Sequence, residues 1–179
     1  MLLKAAIRDP NPVVFLENEL MYSREFEVKD PDFFNPEKVA PIGKARIMRE
    51  GTDVTLVAFS RMVGVSLEAA EILAQQGVSA EVINLRTIKP LDRESIIRSV
   101  MKTGRLVAVE DGYPTSGVTA EILSCVMESP AFDYLDAPAQ RVTAWDIPMP
   151  YAKNLELMTT PRPDDVARAA MNTMKGVRR

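Results

Sequence analysis

The stretch EVINLRTIKPLD (81–92) sets Arg86, Lys89 and Asp92 directly after an apolar run. Two cations and an acid there could grip an anion, meet another surface, or only turn the chain. A second stretch, IRDPNP (7–12), contains two prolines, Pro10 and Pro12, that have no backbone N–H to donate, so the turn is rich in acceptors. Backbone oxygens of Ala6, Ile7, Asp9 and Asn11 could converge on a hard cation such as potassium, which carbonyl groups bind well. The other reading of this turn is an ordinary helix ending. A third stretch, SPAFDYLDAPAQRVTAWDIPMPYAKNLE (129–156), mixes Phe132, Tyr134, Trp145 and Tyr151 with acids and prolines. Aromatic anchors among polar groups suit an interface; the alternative is a proline-braced loop packed on its own domain.

What is missing narrows the chemistry. The 179 residues include no histidine, which excludes Ser-His and Cys-His nucleophile systems and any His-ligated metal. The single cysteine, Cys125, lies in the helical pattern AEILSCVME and reads as a small buried hydrophobe; no basic partner that would make it a nucleophile is evident. With 22 basic and 25 acidic residues the formal charge is −3, so there is no electrostatic footprint for nucleic acid. No apolar run approaches the ~18–20 residues of a membrane span, and the opening MLLKAAIRDPNP does not read as a signal peptide.

These residues need a scaffold, and the periodicity supplies one. LLKAAIRD (2–9) reads as the end of a helix and PVVFLE (12–17) as a short strand. Residues 23–41 are charged, proline-punctuated and aperiodic, as in a linker. From 42 onward strands and helices alternate. Strands are expected near the start of ARIMREGTDVTLVAFS, at Val54–Phe59, at 80–85, at 105–110 and at 140–145. Helices are expected at about 63–77, 93–102 and 117–128, and again after Pro163. Asp92 can cap the helix that follows it. The pattern predicts an α/β fold with an open, mostly parallel, doubly wound sheet, Rossmann-like and three-layered. In such a sheet ligands sit beyond the carboxyl ends of the strands, here Ser60-Arg61, Arg86 to Lys89, and Glu110 to Tyr113. No G-x-G-x-x-G or G-x-x-x-x-G-K follows Val54–Phe59, so the phosphate-binding signature of a nucleotide site is missing. A free-standing module using the Arg86/Lys89 edge for an anion stays open on the residues alone.

NPVVFLENELMY, EVINLRTIKPLD, VMKTGRLVAVEDGYP and PAFDYLDAPAQRVTAWDIPMPYAKNLE together resemble the beta subunits of the pyruvate dehydrogenase first component. RTIKPLD alone resembles the wider transketolase C-terminal domain family; the last stretch narrows the likeness to the pyruvate member or a close branched-chain 2-oxoacid or acetoin relative.

The resemblance implies a part in the thiamine-diphosphate- and magnesium-dependent oxidative decarboxylation of pyruvate to acetyl-CoA. It implies that residues 1–22 are a remnant of a preceding pyrimidine-binding domain, 23–41 a linker, and 42–179 the transketolase C-terminal-like domain. The family's activating glutamate and active-site histidine lie in sequence this chain does not contain, so the chain alone is expected to be inactive, with no catalytic or cofactor-binding residue of its own. Its implied work is assembly with the alpha subunit and a second beta subunit, and docking to the subunit-binding module of the dihydrolipoamide acetyltransferase. Two site assignments carry over: potassium on the backbone oxygens of Ala6, Ile7, Asp9 and Asn11, and partner contact by Asp136. The implied location is the mitochondrial matrix in a eukaryote and the cytoplasm in a bacterium.

Overall fold

The computed structural model describes residues 1–25, 27–28 and 30–175. Helix α1 (Leu2–Arg8) is followed by irregular chain and a single 3-10 turn at Glu19–Met21. The domain that follows contains β1 (Arg46–Arg49), β2 (Val54–Ala58), α2 (Met62–Gln75), β3 (Ala80–Asn84), α3 (Arg93–Thr103), β4 (Leu106–Val109) and α4 (Val118–Met127). It ends with a 3-10 turn (Pro130–Tyr134), β5 (Gln140–Val142), α5 (Lys153–Thr159) and α6 (Pro163–Met174). The sheet order is β1-β3-β2-β4-β5. β3, β2, β4 and β5 run parallel, and β1 pairs antiparallel with β3 at one edge.

The residue pattern explains this arrangement. Every residue of β2 and β4 is buried, as expected of central strands covered on both faces. Val54, Leu56 and Ala58 join Val82, Val107 and Val109 on the face packed by α2 and α6, where Leu73, Val166 and Ala170 meet them. Val57 points the other way, with Ile83, Leu106 and Ala108, onto Ile96 and Val100 of α3 and Ile122 and Val126 of α4. A one-residue slip of β2 would exchange these two sets. Cys125 is among the buried residues of α4, and burial pushes its thiol up, away from thiolate chemistry.

Helix ends follow the expected chemistry. Gly77 (φ 77°) and Gly104 (φ 68°) take the left-handed conformation beyond α2 and α3. Asp92 caps α3, accepting from the Ser95 N–H at 3.3 Å and the Ser95 hydroxyl at 2.8 Å, and it also accepts the Ala45 N–H at 2.8 Å. Burial opposes its charge, but the Ala45 and Ser95 hydrogen bonds outweigh it and hold the carboxyl below the usual range. Asp92→Ala is therefore expected to lose about 2 kcal/mol, read as a lower urea midpoint at unchanged m-value. The loss should shrink as pH falls below about 4, where the unfolded-state carboxyl takes up its proton and the folded one follows.

Three expectations need correction. Residues 12–17 do not form a strand: no part of the sheet pairs with them, and Val14 and Leu16 stand in solvent while Val13 and Phe15 are half covered. The alternation is that of extended chain without a ladder partner. The last strand stops at Val142 rather than running to Trp145, because the Ala144 N–H turns to the Gly112 carbonyl and the Trp145 N–H to the Thr159 carbonyl, each at 3.0 Å. The long stretch 129–156 is not one loop, since it contains the Pro130–Tyr134 turn, β5 and the start of α5.

Candidate functional site

The carboxyl ends of the parallel strands bring three of the candidate runs to one edge, and each proves different. After β2, Ser60 has φ 51°; after β3, Arg86 has φ 62°. Both are non-glycine residues in the left-handed region, two places beyond the paired Ala58 and Asn84 of adjacent strands. Backbone held this way carries strain and collects at functional sites. The Arg86 N–H donates to Asn84 Oδ1 at 3.0 Å, while Lys89 is exposed. Asp92, in the same stretch, is spent on capping. The polar run thus divides into a structural acid and cations without an ion pair among the described residues.

Glu110, after β4, is also structural. Only 3 % exposed, it turns inward and accepts the Val118 N–H at 2.9 Å, the Thr119 N–H at 3.3 Å and the Thr119 hydroxyl at 2.6 Å. The N-cap of α4 is Gly117, which has no side chain to offer, so a carboxylate from the preceding strand end caps the helix instead.

The Ala6–Asn11 turn lies apart from this edge, at the end of α1. In a helix the carbonyl of residue i is met by the N–H of i+4. For Ala6 and Arg8 that partner is Pro10 or Pro12, and neither has an N–H; for Ile7 it is Asn11, whose N–H instead goes to Asp9 Oδ1 at 2.9 Å. Asn11 Nδ2 donates to the same oxygen, also at 2.9 Å, and these two bonds hold the Asp9 carboxyl below its ordinary range. Among the described residues, the carbonyls of Ala6, Ile7 and Arg8 therefore receive no backbone N–H.

Asp136 sits at the opposite, amino end of β4. Its N–H donates to the Gly104 carbonyl at 2.8 Å, and its Oδ2 lies 3.2 Å from Arg105 Nη2. Arg105 is itself fixed by the carbonyls of Thr173 (3.3 Å), Asp53 (3.3 Å) and Thr103 (3.4 Å). Gly104 makes the approach possible, since a Cβ there would stand 2.5 Å from Asp136 Oδ2. Asp136 keeps its side chain 58 % exposed, with Phe132 and Tyr134 half-exposed beside it in sequence. The 129–156 stretch also presents Trp145 (61 % exposed), Ile147, Met149 and Tyr151 outward, and α5, missed in the sequence, adds Leu155, Leu157 and Met158. So much exposed apolar side chain along one segment marks an interaction surface.

Residues 43–166 match the transketolase, C-terminal domain. The chain belongs to the transketolase C-terminal domain family. It is 58% identical over 173 residues to the pyruvate dehydrogenase E1 component subunit beta-1, mitochondrial, of Oryza sativa subsp. japonica, covering 94% of this chain and 45% of that protein. It is 55% identical over 173 residues to the corresponding subunit beta of Homo sapiens, covering 97% of this chain and 48% of that one. Among solved structures, a split-gene transketolase described as an inactive beta4 tetramer superposes with a TM-score of 0.68 at 27% identity, covering 83% of this chain and 47% of its own. The chain thus spans about half the length of the relatives it matches.

Proposed function

We propose that the chain serves as the C-terminal domain of a pyruvate dehydrogenase beta subunit, contributing assembly and docking to the oxidative decarboxylation of pyruvate to acetyl-CoA. The observation that carries this reading is 58% identity across 94% of the chain to a relative of that name. Thiamine diphosphate and magnesium fit poorly here. Asp92 and Glu110, at the strand ends, already accept from backbone N–H groups and hydroxyls, and among the described residues no group of three or more Cys, Asp or Glu side chains is placed to hold a metal. The cofactor then belongs to the half of the relatives that this chain does not span. Potassium suits the chain better, at the carbonyls of Ala6 and Ile7, which receive no backbone N–H among the described residues, with Asp9 and Asn11 completing the turn.

The test is a chimera. This chain replaces the matching half of the rice relative and is produced with an alpha subunit. Pyruvate-dependent dye reduction with thiamine diphosphate and magnesium should be restored in the chimera and absent from the chain alone. A chimera that fails to assemble with the alpha subunit, or assembles without turnover, would count against the reading.

In this reading the outward segment 145–158 meets the alpha subunit or a second beta subunit, and Asp136 meets the basic subunit-binding module of the acyltransferase. Asp136 suits that task because a fixed guanidinium orients one oxygen while the other, Oδ1, remains available for a charge-assisted hydrogen bond. Asp136→Asn in the assembled protein should weaken module binding by about 1–2 kcal/mol, roughly 5–30-fold; this is below the range for a fully desolvated pair because the carboxylate is more than half exposed. The melting temperature should barely move. A fall in melting temperature with unchanged affinity would make Asp136 only a brace for its own loop.

A further inference from the structure

The carboxyl end of β3 holds a cation against local physics. Arg86 sits at φ 62°, a conformation that costs an ordinary residue about 1–2 kcal/mol. It is half-buried, yet only its backbone N–H is hydrogen-bonded, to Asn84; its guanidinium has no acid or hydrogen-bond acceptor among the described residues. Arg46, on the antiparallel neighbour β1, stands directly opposite Asn84 and also has no ion pair among the described residues. Burial and then the Arg46 charge depress the Arg86 pKa, so the two cations oppose each other.

The acids nearby are committed elsewhere. Asp92 accepts from Ala45 and Ser95. Asp30, whose carboxyl senses Arg46, is bonded to Lys38 at 3.0 Å and to the Asp32 N–H at 3.0 Å. Glu94 faces Lys44 at 3.7 Å and Arg98 at 3.9 Å. Lys89, exposed three residues beyond Arg86, adds a further cation without an ion pair among the described residues.

We propose that Arg86 and Arg46 form an oxyanion site at the β1–β3 edge, taking a carboxylate or phosphate group presented from outside the sheet. Guanidinium groups bind both through paired, planar hydrogen bonds. An anion between them would turn mutual repulsion into attraction and give the left-handed Arg86 a reason to persist. This site is separate from the docking surface around Asp136 and does not depend on which enzyme the chain serves.

The experiment is thermal unfolding of this chain with increasing inorganic phosphate or succinate, each against sodium chloride at matched ionic strength. The melting temperature should rise saturably by about 3–6 °C with at least one probe. The rise should be absent from Arg86→Gln and Arg46→Gln, with circular dichroism confirming that both variants fold. Arg86→Gly separates strain from binding: without ligand it should melt higher than the parent, because glycine accepts the left-handed conformation, and it should not respond to either probe. A response to phosphate alone assigns a phosphoryl ligand, and a response to succinate alone a carboxylate. A parent chain that responds to neither probe beyond chloride, or an Arg86→Gln variant that keeps the full response, overturns the proposal.

Discussion

Lys102→Met is expected to cost about 3 kcal/mol of stability, a fall in melting temperature of roughly 6–12 °C. Glu81 of β3 is 1 % exposed; its carboxylate pairs with Lys102 and accepts the Ser99 hydroxyl at 2.5 Å. Ser99 also bonds the Thr55 hydroxyl at 2.6 Å, which lies 2.7 Å from that of Thr103. Burial works against the Glu81 charge, but hydrogen bonds from Lys102 and Ser99 overcome it and hold the carboxyl below its ordinary value. The Lys102 ammonium is raised, burial again opposing and Glu81 prevailing. Removing the ammonium strands a buried charge. The stability this pair contributes is present above the unfolded glutamate value near pH 4.3 and is lost as pH falls through the lower folded value. It is likewise present below the unfolded lysine value and lost as pH rises through the raised one. The penalty of Lys102→Met should therefore be largest near neutrality and shrink as pH falls through the lowered folded value of Glu81, below which the carboxyl is neutral in both proteins. Adding Glu81→Gln should recover most of the loss at pH 7. Additive single-variant losses would show that the two side chains are not coupled.

The fold was legible because its information is local and periodic. Strands such as Val54–Ala58 are runs of apolar residues buried on both faces, and the helices between them carry apolar stripes closed by Gly77 and Gly104. What resisted reading was decided by distant partners. PVVFLE has a strand's composition, but composition does not supply a neighbouring strand. α5 has no capping side chain, and its Leu155, Leu157 and Met158 face outward, so nothing in its seven residues announces a helix. The candidate sites divide along the same line. Asp92 as a helix cap follows from adjacent sequence, and the structure has it in that role. Glu110 at the edge where ligands usually sit looked like a ligand group, and only the fold reveals that its carboxylate turns inward. Arg86 read first as part of a turn or a contact between subunits or domains, with an anion site as the rival. What bears on these readings is that its guanidinium has no ion pair among the described residues, a matter of three-dimensional arrangement that no spacing encodes.

Glu110→Ala should cost about 3 kcal/mol, close to the loss from the Lys102 substitution but through a different cause. The carboxylate is the acceptor for two N–H groups of the first turn of α4 and for the Thr119 hydroxyl. A charged acceptor is worth about 1.5–3 kcal/mol per bond, and a buried donor left without one costs about 1–3 kcal/mol. The vacated volume would not compensate, because the site lies between the end of β4 and the start of α4. Glu110→Gln keeps one carbonyl oxygen and should lose less, about 1 kcal/mol. Gly117→Ala tests the same contact from the opposite side. A Cβ at Gly117 would fall on Glu110 Oε1 and within 2.6 Å of the Tyr113 carbonyl, so it should push the carboxylate off the helix and destabilise by a similar amount. If both act through that one contact, Gly117→Ala should cost much less in a Glu110→Ala background, where half of the obstruction is gone. Chemical denaturation of the parent, both single variants and the double variant measures that coupling. Strict additivity would mean that Gly117 is needed for the turn itself, and that capping by Glu110 is incidental to how β4 hands the chain to α4.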